Sequence, residues 1–385
     1  MNRFLVTSGY LGFVTIGVAS AVIAPTLPYI IDTFHINFAQ AGSIFSFQFM
    51  GKVLAVLSIG FLADIFGKKS VIMLGALAMA VGLFAFSIAH VWGVALLLIL
   101  LFGFGHGSID LGFNAVFADA AREKRGGALS LLHVFFGIGA LAAPLIAGFI
   151  MGKGAKWPPV YWVPSILAIM LMASVLPQKF PVPEAERPRL SDLRFVTSEP
   201  RFLILLLIMF FYGATEIGIS GWIPAYLTKT MRSEPQMASL TLSLFWAALT
   251  SGRLLVAMII DRLGCERVLK ILGTTSLGMA LLSIMAPNGG LAAFSFVILG
   301  FGLSGIFPTT IALGTGLSRG YSGTASGALI AASSLGGVTF PWLTGLAADA
   351  FGLRAGLGMA CLAAGGLAIG SHAFMSRHTK EHSVR

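Results

Sequence analysis

Four charged side chains lie inside long apolar stretches of the chain, where charge is unusual. Lys52, Asp110, Glu216 and Arg253 are each surrounded by runs of apolar residues. A charged side chain at the middle of a bilayer costs at least about 2.5–3.5 kcal/mol on insertion scales, and such residues usually face a cavity or pair with a partner. If these stretches cross a membrane, the four residues are the first candidates for proton transfer, ion pairing or ligand binding.

Asp110 belongs to a polar stripe. His106, Asp110 and Asn114 follow one another at a spacing of i, i+4, which places all three on one face of a helix. A carboxylate in a low-dielectric cavity is easier to protonate than one in water. This is the property that proton coupling needs, so we predict that Asp110 is a proton site and that His106 and Asn114 lie beside a ligand. The alternative is an interhelical hydrogen-bond cluster that only stabilises the helix bundle.

Glu216 is the second buried acid and the second candidate for proton coupling. Gly221 and Pro224 follow it and are expected to interrupt the helix, and discontinuous helices often form substrate sites in transporters. Trp222 and Tyr226 lie beyond the break, where an aromatic ring can cover the apolar face of a ligand. Alternatively, both belong to an aromatic belt at the membrane surface.

Three further polar residues are candidates for substrate binding. His133 lies beside Phe135 in an apolar run and can bind a hydroxyl group, titrate near pH 6.5 or make a structural hydrogen bond. Gln48 and Lys52 share one helix face at a spacing of i, i+4. A lysine at this depth is expected either to pair with Asp110 or Glu216, which we favour, or to bind an anionic substrate.

The composition explains why these few residues stand out. The chain has 385 residues, of which 57% are hydrophobic and only 10% charged, against roughly 25% charged residues in soluble domains. Lipid must therefore be the solvent for most of the chain, which excludes a cytosolic enzyme, a secreted disulfide scaffold and a disordered protein. The two cysteines are far apart, and no metal-binding or nucleotide-binding motif is present, so we predict no metal site and no cofactor other than a coupling proton.

The apolar residues form twelve runs, each long enough for a helix that crosses a bilayer. Because the runs are continuous rather than alternating, they predict helices and not the strands of a barrel. The fold is therefore predicted to be an all-α integral membrane fold. The runs are 6–31, 41–63, 70–88, 91–118, 126–151, 158–177, 202–229, 236–260, 267–286, 288–316, 321–346 and 353–375.

The basic residues predict the orientation of these spans. With the N-terminus in the cytoplasm, 18 of the 25 Lys and Arg residues fall in cytoplasmic segments, five fall outside and two lie within spans. This bias follows the positive-inside rule. Both termini are then cytoplasmic, and the net charge of +10 reflects topology and not a nucleic-acid partner. A charged segment at 179–201 separates two predicted halves of six helices each, 1–178 and 202–385.

A short sequence recurs after spans two, eight and eleven. The first copy contains Gly60, Asp64 and Gly67, the second ends at Gly264 and the third at Gly352. Repeated units around a central substrate path are typical of transporters. The residues that we predict to gate the protein are Gly60, Asp64, Gly67, Lys68, Lys69, Arg253, Asp261 and Arg262.

The first copy, G-x-L-A-D-x-x-G-K-K, resembles the signature loop of the major facilitator superfamily, and the arrangement of six and six spans resembles its fold. A narrower resemblance is to the fucose–galactose–glucose:proton symporter family, in particular its bacterial glucose/mannose branch. The segments that carry this second resemblance are 103–114, 132–145, 211–216, 222–227 and 302–308.

The resemblance implies inward transport of a sugar, driven by protons. Asp110 and Glu216 match acids of the family pattern, and His133 occupies a position that is polar in it. Lys52 departs from the glucose/mannose pattern, which is apolar after the glycine, and this keeps sugar acids open as substrates. Asp64 and Asp261 are expected to interact with helix N-termini and cations across the two halves and to favour an outward-open state.

The leading hypothesis is a proton-coupled sugar importer in the cell membrane, acting as a monomer on a small-molecule substrate. The first alternative is an exporter of drugs or metabolites with the same fold and a more apolar pocket. A transporter of sugar acids or other small organic anions also fits. An integral membrane enzyme needs a metal cluster or a nucleophile–base pair, and a channel needs a filter, and the sequence carries the motifs of neither.

Overall fold

The computed structural model describes residues 3–120, 125–180, 197–318 and 321–383, and only the backbone at 59–66, 118–120, 125–128, 130, 322 and 377–383. Within these residues, twelve helical spans are long and apolar enough to cross a membrane. They are Arg3–Phe34, Phe38–Ser58, Gly67–Ser87, Trp92–Phe117, Leu131–Gly152, Pro158–Val175, Pro200–Thr230, Pro235–Leu263, Cys265–Met285, Gly289–Leu317, Gly323–Phe351 and Leu353–Ser376. The predicted all-α membrane fold is confirmed, and each predicted boundary lies within five residues of the observed one.

Several helices extend beyond the apolar part of their span. Spans two and three lie in the segment Phe38–Ser87, where two helices meet at a kink at Gly67. Span six begins with a 3₁₀ turn at Pro158–Tyr161, which the helix Trp162–Val175 follows. The helices of spans four and five are Trp92–Ala120 and Arg125–Gly152, and those of spans eleven and twelve are Ser322–Phe351 and Leu353–Ser383.

Three spans are interrupted. Span one consists of the helices Arg3–Ala21 and Ile23–Phe34, and span ten consists of Gly289–Leu303 and Ile306–Leu317. In span seven, the helix Pro200–Ser220 ends one residue before Gly221, as the sequence predicts. A short helix, Ile223–Ala225, and a π-helical turn, Tyr226–Thr230, complete that span. Glu216 therefore lies one turn before a break.

The chain divides into two compact units. One contains Met1–Ala185 and Glu234–Ser243, and the other contains Glu186–Ser233 and Leu244–Arg385. The division after residue 185 lies within the segment that the sequence predicts as the linker. The first residues of span eight group with the first unit, which the predicted halves do not anticipate.

The repeated sequences share one backbone conformation. Gly67, Gly264 and Gly352 have φ of 78°, 82° and 85° and ψ of 157°, 147° and 160°. Gly154 is the only other described glycine with positive φ, at 81°. Each of the four follows the second helix of a three-helix group, as expected for a protein built from three-helix repeats. Glycine is required there because other residues rarely adopt this conformation.

Backbone-to-backbone packing joins the helices within each unit. A Cβ atom on Gly103 of span four would overlap the carbonyl oxygen of Gln48 in span two, and one on Gly51 would overlap that of Leu100. Glycines bring membrane helices together in this way because they leave no side chain between them. Equivalent overlaps join spans one and five at Gly17 and Gly139, seven and eleven at Gly213 and Gly336, and eight and ten at Gly300.

We expect Gly103→Ala to lower the stability of the detergent-solubilised protein by about 1–3 kcal/mol, because the added methyl group overpacks the contact between spans two and four. A thermal melt measures the effect. Gly93→Ala in the same helix is the matched control, since a Cβ atom there meets nothing within 4 Å. Equal melting temperatures for the two variants would contradict the assigned packing.

Candidate functional site

An ion pair lies between spans two and four. Lys52 Nζ lies 2.9 Å from Asp110 Oδ2, and the two side chains are 17% and 15% exposed. The helices meet closely here, since a Cβ atom on Gly107 would lie 2.7 Å from Ala55 Cβ and 3.0 Å from the Lys52 carbonyl oxygen. Of the two acids considered as partners of Lys52, the structure brings Asp110 to it.

The other carboxylate oxygen of Asp110 is held by its own helix. Asn114 Nδ2 donates to Asp110 Oδ1 at 2.8 Å and to the Asp110 carbonyl oxygen at 2.9 Å. The predicted i, i+4 stripe is therefore a hydrogen-bonded pair. A lysine ammonium group thus contacts one oxygen of the carboxylate, and an amide group contacts the other. We define Lys52, Asp110 and Asn114 as the span-four cluster.

Two histidines and a glutamine lie near this cluster. His106 and His133 are close enough to interact electrostatically with Asp110. His106 is 5% exposed, and its Nδ1 lies 3.2 Å from Ser20 Oγ in span one. His133 is half-buried and packs edge-on against Phe13, with 5.3 Å between the ring centroids. Gln48 is buried one turn before Lys52. The structure therefore brings the predicted polar residues of the first unit into one region.

Glu216 has its own partners in the second unit. Tyr212 Oη donates a hydrogen bond to Glu216 Oε1 at 2.7 Å within span seven. Arg253 of span eight interacts with the same tyrosine hydroxyl, and the charges of Glu216 and Arg253 both act on it. Arg253 of span eight therefore lies close to Tyr212 of span seven. Its predicted gating role stays a prediction.

Comparison with known proteins identifies the family. The sequence profile described as "Major Facilitator Superfamily" matches residues 9–341. The chain belongs to the Major Facilitator Superfamily. It is thus a multi-pass membrane transporter, and its relatives are transporters and not enzymes.

One relative agrees with the narrower resemblance. The glucose/mannose transporter GlcP of Bacillus subtilis (strain 168) is 22% identical over 351 residues, which cover 88% of this chain and 86% of GlcP. The resemblance to the glucose/mannose branch is thereby confirmed.

Solved structures with the same fold belong to transporters of different substrates. The nucleoside transporter NupG superposes with a TM-score of 0.75 at 16% identity, covering 97% of this chain and 99% of NupG. A single-residue variant of the fucose:proton symporter FucP of E. coli gives a TM-score of 0.66 at 17% identity, with coverage of 97% and 99%. At these identities the likeness shows the fold of the superfamily alone.

The signature loop of the superfamily is only partly described. Gly67 lies at the kink between the helices of spans two and three. Lys69 Nζ donates a hydrogen bond of 2.6 Å to the carbonyl oxygen of Leu176, at the end of span six. Lys68 is half-buried, and Asp261 and Arg262 of the second copy are exposed. The side chains of Gly60 and Asp64 lie outside the described residues, so the predicted gating role of the loop stays a prediction.

The aromatic residues of span seven lie inside the second unit. Trp222 and Tyr226 are both fully buried. Trp222 Nε1 donates to the Pro341 carbonyl oxygen at 3.2 Å, and Tyr226 Oη donates to that of Ser283 at 3.4 Å. Both rings thus pack inside the second unit, which does not fit an aromatic belt at the membrane surface. Their predicted role in substrate binding stays a prediction.

The sequence reasoning missed two polar partners. Ser20 contacts His106 from another span, and nothing in its own sequence context distinguishes it from other serines. Tyr212 is different, because its i, i+4 spacing to Glu216 is the same signal that marks Asn114 beside Asp110. No group of three metal-ligating side chains occurs among the described residues.

We expect Lys52→Met to lower the stability of the protein by about 3 kcal/mol, because it leaves a buried carboxylate without its cation. The double variant Lys52→Met/Asp110→Asn should recover most of this loss, since neither charge remains. Thermal unfolding of the single and double variants completes a double-mutant cycle. Strictly additive effects of the two substitutions would show that the ion pair contributes nothing.

We expect Trp222→Phe to lower stability by about 1–3 kcal/mol through a small cavity and the lost hydrogen bond to Pro341. The KM for transport tests the predicted binding role, because it should stay within about twofold of wild type if the ring only packs. A large rise in KM without a change in melting temperature would place Trp222 at the substrate site.

Proposed function

We propose that this protein is a proton-coupled symporter that imports a sugar, a hexose or a related compound, by alternating access. The observation that carries the proposal is the span-four cluster, an acid inside the membrane whose two oxygens are held by a lysine and an amide. Intramembrane acids of this kind form proton relays in transporters. The relationship to GlcP supports a sugar as the substrate.

Proton loading requires the ion pair to open. While Lys52 holds Oδ2, a proton must displace it to bind that oxygen. A substrate hydroxyl group can take the place of either partner, because it both donates and accepts hydrogen bonds. Binding of a hydroxylated substrate and protonation of Asp110 then favour each other, and such mutual assistance is what symport requires. Glu216, beside Tyr212, is the alternative proton site.

The surroundings of Asp110 offer the groups that a sugar would need. Gln48, Asn114 and the two histidines present amide and imidazole groups, and sugars are bound by a few polar side chains placed around the hydroxyl groups. We propose Gln48, Lys52, His106, Asn114 and His133 as substrate contacts. For Trp222 and Tyr226, which are fully buried in the second unit, a role in binding stays a prediction.

The ion pair also bears on the alternatives. An anionic substrate was considered because Lys52 would otherwise be an uncompensated cation, and Asp110 now provides that compensation. A polar region around one acid likewise supports a sugar more than the apolar pocket expected of a drug exporter. For the cellular setting, we propose a monomer in the cell membrane with both termini in the cytoplasm, on the strength of the distribution of basic residues.

Uptake into proteoliposomes tests the function. Labelled hexoses, 6-deoxyhexoses, sugar acids and nucleosides are compared with and without an inward proton gradient, and we expect gradient-driven accumulation of a neutral sugar. Asp110→Asn should abolish accumulation but retain exchange, since substrate can still cross without a proton. Glu216→Gln is the matched comparison at the second acid.

Three outcomes would overturn parts of this proposal. If no sugar accumulates in response to the gradient, the symport function is wrong. If only nucleosides or only sugar acids accumulate, the proposed substrate class is wrong, but the proposed coupling to protons stands. If Asp110→Asn still concentrates substrate, the coupling site moves to Glu216 or His133.

A further inference from the structure

The ion pair fixes the net charge of the transport site. We propose that Lys52 is the charge that the membrane potential acts on, so that the potential drives the movement of the loaded carrier and not the return of the empty one. The inference rests on the proposed proton symport. Its starting point is the 2.9 Å contact between Lys52 and Asp110, which makes the empty cluster electrically neutral.

Glu216 and Arg253 are the other two of the four charged residues singled out above within apolar stretches. Glu216 and Arg253 carry opposite charges and interact with the same Tyr212 hydroxyl, so they add no net charge. His106 and His133 are the other titratable groups that act on Asp110. The Lys52–Asp110 pair is itself neutral in the empty carrier. Loading protonates Asp110 and leaves both imidazoles as they were, so they do not alter the difference of one charge between the empty and loaded forms.

Loading changes the balance by one charge. A proton on the Asp110 carboxylate converts it to a neutral acid, and the proton neither comes from nor goes to Lys52. The lysine keeps its positive charge, so the carrier loaded with a neutral sugar has a charge of +1. An interior that is negative attracts this state inward, and the neutral empty carrier then returns without electrical work.

A carboxylate without a lysine gives the opposite cycle. Its empty form carries a negative charge and its loaded form is neutral, so the potential would act on the return step alone. Both cycles move one positive charge inward per sugar and give the same final accumulation. They differ only in which step depends on voltage, and the position of Lys52 decides between them.

Exchange separates the two cycles because it uses only the loaded carrier. Proteoliposomes are prepared with saturating labelled sugar on one side, saturating unlabelled sugar on the other and the same pH on both. Potassium gradients with valinomycin set the membrane potential. At about 100 mV, one charge that crosses the full field shifts the equilibrium between the outward-facing and inward-facing loaded carrier about 50-fold. Exchange then slows about threefold, because most carriers collect on one side of the membrane. We expect this slowing in the wild type.

A pair of variants isolates the lysine. Asp110→Asn leaves Lys52 charged in every state, so its exchange should remain voltage-dependent. Lys52→Met/Asp110→Asn lacks both charges, and its exchange should not respond to voltage. Neither variant buries an unpaired carboxylate in the cluster. Lys270→Met in span nine removes a lysine outside the cluster and should leave both the exchange rate and its voltage response intact.

The results distinguish this inference from the proposed function. Uptake driven by a pH gradient at zero potential tests the symport alone. If that uptake occurs but wild-type exchange ignores voltage, Lys52 is not the transported charge and the inference is wrong. It is also wrong if Asp110→Asn and the double variant respond equally. If the pH gradient drives no uptake, the proposed function itself fails, whatever exchange shows.

Discussion

The cost of placing charge in a bilayer is the constraint on which this structure depends. Lys52 and Asp110, two of the four charged residues singled out within apolar stretches, meet at 2.9 Å. An unpaired charge at this depth would be costly, whereas a pair on neighbouring helices reduces the cost but fixes both side chains. The same rule holds in the second unit, where Glu216, Tyr212 and Arg253 come together.

The glycines decide where such pairs can form. Gly51, Gly103 and Gly107 let spans two and four approach until their backbones touch, and this brings the Lys52 side chain within reach of Asp110. The analogous contacts of spans one and five, seven and eleven, and eight and ten repeat this packing in both units. A chain with 47 glycines thus uses many of them as contact points between helices, and four more as joints between the helices of its repeats.

Much of this arrangement can be predicted from the sequence, for identifiable reasons. Hydrophobic runs follow from the thickness of the bilayer, so all twelve spans are confirmed, and Asn114 meets Asp110 because helical spacing places them together. Distant contacts are harder to predict. Ser20 contacts His106 only because two separate spans pack together. The break at Gly221 can be predicted, but the side of the helix on which Trp222 then lies cannot. The local periodicity of a sequence shows which side chains share a face of one helix, but not which other helix packs against that face.

The direct contact of spans two and four has a consequence for the speed of the cluster. Two helices whose backbones touch cannot separate slightly to part Lys52 from Asp110 without giving up the whole contact. The pair must instead open by rotation about the bonds of the lysine side chain. Such rotations take picoseconds to nanoseconds when side chains are free, whereas collective helix and domain motions take microseconds to milliseconds. The acid can therefore exchange partners many times while the surrounding helices stay in place.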